Sequence, residues 1–293
     1  ILYMNKIQGI YAASLTIFNK DLSLNINKTL KHADYLIDNG CHGVVLMGST
    51  GQSQLISIQE KIKLINSLQL SKNYKKFIIG TGVNSLGDTI NLIKISKSLN
   101  FKYFLIMPPA YYSYKDKDVI NFFSKLIDKI NDCKIILYNF EKLSGYKFSL
   151  QCVLDLKKRF PTQIVGIKDS SYNIYENYKN NDLSLLVGSE AKLLQGLEIG
   201  CHGAITATLN VTSKIARQVY DDFHNNKSAT SNTKLCKIRQ AFEKFNLISG
   251  LHSYMSKKDK IFENLLPVLD LLPKSEEKKL FEELKKLDFN IDY

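Results

Sequence analysis

Ile164-Val165-Gly166-Ile167-Lys168-Asp169 is the stretch on which the reading of the fold turns. Four residues with no polar side chain lead into a lysine, the pattern of a strand buried on both faces that delivers a cation at its carboxyl end. Such a strand belongs in a parallel sheet, whose neighbouring strands must be joined by long, usually helical crossovers. Working outward, similar apolar runs recur at 9–17, 43–47, 77–81, 103–107, 134–138, 183–187 and 203–208. Between them apolar residues fall at helical spacing, as in Ile58, Ile62, Ile65 and Leu68, or Val119, Phe122, Phe123, Leu126 and Ile130. Eight strands, each followed by a helix, predict an α/β protein of the (β/α)8 barrel type over residues 1–225. A doubly wound open sheet is the alternative, but no G-x-G-x-x-G follows the first strand. Helices are expected at 235–251, 257–269 and 275–287. No Gly/Ser/Pro-rich linker precedes them, so residues 226–293 are expected to pack on the barrel as one structural unit.

The chain has 293 residues, 44% hydrophobic and 23% charged, enough apolar material for a large core. Its formal charge of +12 raises the question of nucleic acid or an anionic membrane. The lysines, however, are spread from Lys6 to Lys286, and Glu276-Glu277-Lys278-Lys279 with Glu282-Glu283 and Lys285-Lys286 alternate in sign at helical spacing. That is a solvated helix face, and neither partner is expected. No apolar run approaches the roughly 20 residues of a membrane span. The first six residues lack the features of a secretion signal, Met4 is expected as the native start, and a cytoplasmic location follows.

Five cysteines, at 41, 133, 152, 201 and 236, are odd in number and form no CxxC pair, which suits reduced thiols and gives no zinc motif. Cys41-His42-Gly43 and Cys201-His202-Gly203 repeat, each behind a glycine, Gly40 or Gly200. One reading is a shared metal site. The plainer one is a pair of short loops behind helix-ending glycines, and it is preferred.

In such barrels chemistry is placed at the carboxyl ends of the strands. Lys168 ends the sixth strand. Burial disfavours a lone cation, and a neutral amine is a nucleophile for carbonyls; the competing reading is a lysine reaching the rim or paired with a carboxylate. Asp169 is expected on the opposite face in a structural role. Tyr138 ends the neighbouring strand, where a phenol can pass protons or simply pack in the core. Ser49 and Thr50, between Gly48 and Gly51, offer hydroxyls and backbone N–H groups suited to a carboxylate.

Gly48-Ser49-Thr50-Gly51, Tyr138-Asn139, Gly166-Ile167-Lys168 and Gly203-Ala204-Ile205, in this order and spacing, resemble the dihydrodipicolinate synthase / N-acetylneuraminate lyase family over nearly the whole chain. The resemblance implies a barrel, usually a homotetramer, that holds pyruvate or a related 2-keto acid as a Schiff base without metal or external cofactor. It places the Schiff base on Lys168, the acid/base phenol on Tyr138, carboxylate binding and proton relay on Ser49 and Thr50, and a ring lent to a neighbouring subunit on Tyr111. It puts Gly188, Glu190 and Ile205 around the substrate.

The departures bear on substrate. Where the synthases carry an arginine for the carboxylate of aspartate semialdehyde, this chain has Leu143; Gln52 and Glu141 stand where the family has glutamate and proline. Leu143-Ser144-Gly145 looks more like the sialic acid lyases, yet Glu190-Ala191 and Ala207 replace the residues those use to hold the sugar chain. The expectation is a pyruvate-dependent aldolase or lyase acting on a 2-keto-3-deoxy sugar acid. The alternatives are condensation of pyruvate with aspartate semialdehyde and, in a different class, a catalytically silent binding protein or a basic nucleic-acid binder on the same barrel.

Overall fold

The computed structural model describes residues 6–293, so Met4 lies outside it. Eight parallel strands, β1 (Gly9–Ala13), β2 (Gly43–Leu46), β3 (Phe77–Gly80), β4 (Tyr103–Ile106), β5 (Lys134–Asn139), β6 (Ile164–Asp169), β7 (Ser184–Val187) and β8 (Gly203–Thr206), close in chain order into a barrel. The helices are α1 (Ile26–Asp38), α2 (Ile58–Ser67), α3 (Leu86–Ser98), α4 (Asp116–Ile130), α5 (Glu141–Ser144), α6 (Leu150–Arg159), α7 (Leu193–Glu198) and α8 (Leu209–His224), then α9 (Asn232–Glu243), α10 (Leu247–Met255) and α11 (Lys274–Lys286). The predicted (β/α)8 barrel with a C-terminal helical extension is therefore correct.

Alternation sorts the strand residues. Val44, Leu46, Ile135, Leu137, Ile164 and Ile167 pack outward under the helices, whereas Val45, Ile78, Leu105, Ile136, Tyr138, Leu186 and Ile205 fill the barrel interior. On β6 the alternation is reset. Ile135 pairs with Ile164, but Ile136 pairs with Gly166, so Val165 is an extra residue, a β-bulge. Without it Lys168, four residues beyond the outward-facing Ile164, would face outward too. With it, Lys168 comes level with the inward-facing Tyr138.

Several expectations need correction. β1 stops at Ala13 rather than continuing to 17, because side chains take its next amides: Leu15 N donates to Asn210 Oδ1 (3.0 Å) and Ile17 N to Thr29 Oγ1 (3.0 Å). No helix joins β6 to β7. Asp169, turned outward as expected, organises that connection instead, accepting from Tyr172 N (2.9 Å), Ile174 N (2.8 Å), Tyr175 N (3.0 Å) and Asn139 Nδ2 (2.8 Å). The expected helix at 235–251 is two, broken where Asn246 Oδ1 caps α10 by accepting from Ser249 N (3.1 Å). The expected helix at 257–269 is only a short 3-10 turn, Lys260–Glu263, after which Leu266 N donates to Gln52 Oε1 (2.8 Å). Leu15, Ile17, Ala207 and Val211 share a second core with α9, α10 and α11, and this core carries the extension over the carboxyl end of β1 and β8.

The repeated Cys-His pairs sit at the start of β2 and β8, at the rim opposite Lys168. Gly40 (φ +121°) and Gly200 (φ +98°) make the left-handed turns out of α1 and α7. His42 Nδ1 accepts from Ile10 N (3.1 Å) and His202 Nδ1 from Leu185 N (3.2 Å), so both imidazoles are spent on strand amides. Burial, with Arg217 nearby, lowers the pKa of His42 to about 4, as the neutral acceptor role requires.

Candidate active site

The carboxyl ends of the strands open into a cavity of about 710 Å³. Lys168 and Tyr138 stand at its floor, with only 4% and 5% of their surfaces exposed. The lysine Nζ lies 4.1 Å from the centre of the Tyr138 ring. Among the described residues no carboxylate pairs with Lys168, so the ring face is the group that answers its charge. The reading of Lys168 as an ion-paired rim lysine does not describe this site.

Ser49 and Thr50 line the same cavity from the loop after β2. That loop is held by Gly51 N and Ser53 N, which donate to Gly48 O at 3.0 Å and 3.3 Å, and by Gln52 in a left-handed conformation (φ +58°). Gln52 fits its position as an amide. Its Oε1 accepts from Leu266 N, and its Nε2 lies 3.4 Å from Nε2 of His252, whose Nδ1 faces Phe262 O at 2.8 Å. No direct hydrogen bond joins Thr50 to Tyr138 among the described residues. Gly188 lies on the cavity wall, and a Cβ there would collide with the side chain of Ser170. Leu143 lines the mouth and supplies no donor.

Two expected lining residues stand elsewhere, and Tyr111, expected to serve a neighbouring subunit, lies outside the cavity of its own chain. Glu190 is fully buried behind the wall, where its oxygens accept from Thr208 Oγ1 (2.6 Å) and Thr212 Oγ1 (3.0 Å) and face Arg239 Nη1 at 3.3 Å. A substrate hydroxyl would have to displace those partners, so Glu190 is a support and not part of the lining. Ile205 is fully buried in the barrel interior and does not line the cavity. Tyr111 is 88% exposed, holds a left-handed backbone (φ +85°) and packs edge-on against Tyr112, outside the Lys168 cavity.

Conversely, the cavity has residues that the sequence reading passed over. Arg239, Glu243 and Asn246 reach it from α9 and the turn before α10, and Tyr172 from the β6–β7 connection. Burial alone would lower the pKa of Arg239, but Glu190 and Glu243 outweigh it and the guanidinium is held charged. Burial pushes the Tyr172 phenol up. Its backbone is left-handed (φ +58°), held there by the hydrogen bond that Tyr172 N donates to Asp169 Oδ1. The only advance signal was Arg239 and Glu243 at a spacing of four, which reads as an ordinary solvated pair. Among the described residues no three His, Cys, Asp or Glu side chains are grouped to hold a metal, and no helix is long and apolar enough to cross a membrane.

Fold and site together define a (β/α)8-barrel protein whose carboxyl-end cavity is built on a buried lysine against a tyrosine. A model of the Dihydrodipicolinate synthetase family matches residues 6–287, and the chain belongs to that family. An uncharacterized DapA-like lyase from Chloroflexus aurantiacus is 29% identical over 280 residues, 92% of this chain and 93% of that one. A 4-hydroxy-tetrahydrodipicolinate synthase from Karelsulcia muelleri is 32% identical over 176 residues, 60% of this chain and 59% of its own. Among solved structures, YagE, a prophage protein of the dihydrodipicolinic acid synthase family from E. coli K12 in complex with pyruvate, superposes with a TM-score of 0.87. It is 20% identical, and the match covers 97% of this chain and 99% of that one.

Proposed function

We propose that this protein is a pyruvate-dependent class I aldolase or lyase that cleaves or forms a 2-keto-3-deoxy sugar acid. It works in the cytoplasm with no cofactor beyond the covalent bond to Lys168. The observation that carries this is a buried lysine with no carboxylate partner among the described residues, seated 4.1 Å from a tyrosine ring in a cavity large enough for both reactants. Lys168 Nζ adds to C2 of pyruvate, and the carbonyl oxygen leaves as water after two proton transfers, giving an iminium. Loss of a C3 proton gives the enamine, whose C3 attacks the aldehyde carbon while the aldehyde oxygen takes up a proton. Water then adds to C2 and releases Lys168, so nothing is oxidised or reduced. Tyr138 holds and returns the proton, and Ser49 and Thr50 take the pyruvate carboxylate. Tyr111, with most of its ring in solvent, completes the neighbouring copy's relay in a homotetramer.

The substrate follows from Leu143. An aldehyde carrying its own carboxylate wants a free guanidinium fork; leucine cannot offer one, and Arg239 on the cavity wall is already paired with Glu190 and Glu243. The synthase reading, supported by relatives that bear that name, competes directly. Steady-state kinetics decide between them. Pyruvate release from 2-keto-3-deoxy sugar acids should exceed condensation of pyruvate with aspartate semialdehyde in kcat/KM; the reverse order would make the protein a synthase.

A further inference from the structure

The outer wall of the cavity comes from outside the barrel, and its charges do not balance. Arg239, 7% exposed, lies between two carboxylates, with Nη1 3.3 Å from Glu190 Oε2 and Nε 2.6 Å from Glu243 Oε1. Nη1 also donates to Thr208 Oγ1 at 3.0 Å. Glu190 is sealed behind the wall, whereas the Glu243 side chain is 42% exposed and lines the cavity. Two carboxylates against one guanidinium leave this cluster one negative charge in excess, and Glu243 is its accessible member. The hydrogen bonds of this wall engage Glu243 Oε1, Arg239 Nε and Nη1 and Asn246 Oδ1, leaving the second oxygen of Glu243, Arg239 Nη2 and Asn246 Nδ2 to the cavity side. The wall therefore offers an acceptor and donors side by side, which suits hydroxyls that both give and accept.

A phosphate or second carboxylate would instead meet a guanidinium already outnumbered by its own partners. Elsewhere on the lining Glu141 is drawn to Lys147 (3.3 Å), and Lys142 is an exposed cation that would favour the opposite outcome. Building on the aldolase reading, we propose that Glu243, positioned by Arg239, selects a neutral polyhydroxy-aldehyde over an anionic one.

The test compares glyceraldehyde with glyceraldehyde 3-phosphate as acceptors at saturating pyruvate, in the wild type, Glu243→Gln and Glu243→Asp. The ratio of the two kcat/KM values is taken within each enzyme, so damage to the pyruvate half cancels. The wild type should favour glyceraldehyde. Glu243→Gln should move the ratio toward the phosphate by roughly tenfold or more, mainly through the acceptor KM, and Glu243→Asp should keep the wild-type preference. A wild type that prefers the phosphate, or a ratio unmoved in Glu243→Gln while borohydride still traps pyruvate, overturns the proposal alone. A wild type that traps no pyruvate overturns the aldolase reading and this proposal with it.

Discussion

Lys168 and Tyr138 are register partners on adjacent strands, β6 and β5, and the amine sits over the phenol ring at 4.1 Å from its centre. The ring face answers the charge of a buried amine, and in the proposed mechanism the hydroxyl of that ring serves whatever the amine binds. Tyr138→Phe keeps the face and removes the hydroxyl. The variant should fold and still form some Schiff base, with turnover down by roughly 10²–10⁴-fold. Thr50→Val should behave alike if substrate links the two hydroxyls in one relay. The double variant should then lose little more than either single one, measured by steady-state kinetics. Additive losses would separate the two groups, and full turnover in Tyr138→Phe would return that ring to the core.

The bulge at Val165 makes a second claim testable. Exchanging Ile167 and Lys168 (Ile167→Lys with Lys168→Ile) keeps the composition but turns the amine outward, into the layer where Ile167 now packs. The exchanged protein should form no borohydride-trapped adduct. It should also lose about 3 kcal/mol or more of stability, because an unpaired cation enters an apolar layer. Trapping at the exchanged position would show that the parity of β6 does not set the site.

Asp169 accepts four N–H groups and shapes the connection that brings Tyr172 to the cavity. In Asp169→Asn one oxygen becomes an NH₂ group facing donors. Urea unfolding followed by circular dichroism, chosen because the chain has no Trp, should show a loss of about 3 kcal/mol. An unchanged midpoint would mean that this loop is held by its apolar contacts alone.

Stability should also fall in mild acid. His32 and His252 are fully buried, and burial lowers both to about 4 from the usual 6.5. Between those values the unfolded chain takes up protons that the folded protein refuses. Stability is therefore full above pH 6.5 and declines as pH drops toward 4, by up to about 2.7 kcal/mol per pH unit for the two together. Urea midpoints at pH 7 and pH 5 measure this, and His252→Gln should shallow the slope. A flat profile would contradict the neutral buried imidazoles.

The strands were legible because a barrel strand is apolar on both faces, and Lys168 stood out because a cation breaks that pattern. The end of β1 was not, since side chains of Asn210 and Thr29, distant in sequence, decide where its ladder stops. Residues 257–269 carry helical spacing, but Asp259 caps only the short turn Lys260–Glu263, and beyond it the Gln52 side chain takes the amide of Leu266. Arg239 was hidden for a related reason. Its pairing with Glu243 is local, whereas its burial depends on Glu190, 49 residues away, and a one-dimensional pattern does not contain that contact. Resemblance placed Glu190 on the substrate for the same reason: nothing in the sequence said that Arg239, Thr208 and Thr212 would take it.

The central claim, that Lys168 is a carbonyl nucleophile, is tested most directly by sodium borohydride reduction in the presence of pyruvate, followed by intact mass measurement. The wild type should gain about 72 Da, one reduced pyruvate adduct by the stoichiometry of iminium formation and reduction, localised to Lys168 by peptide mapping. Lys168→Ala should gain nothing. An unmodified wild-type mass, or an adduct on another lysine, would contradict the account.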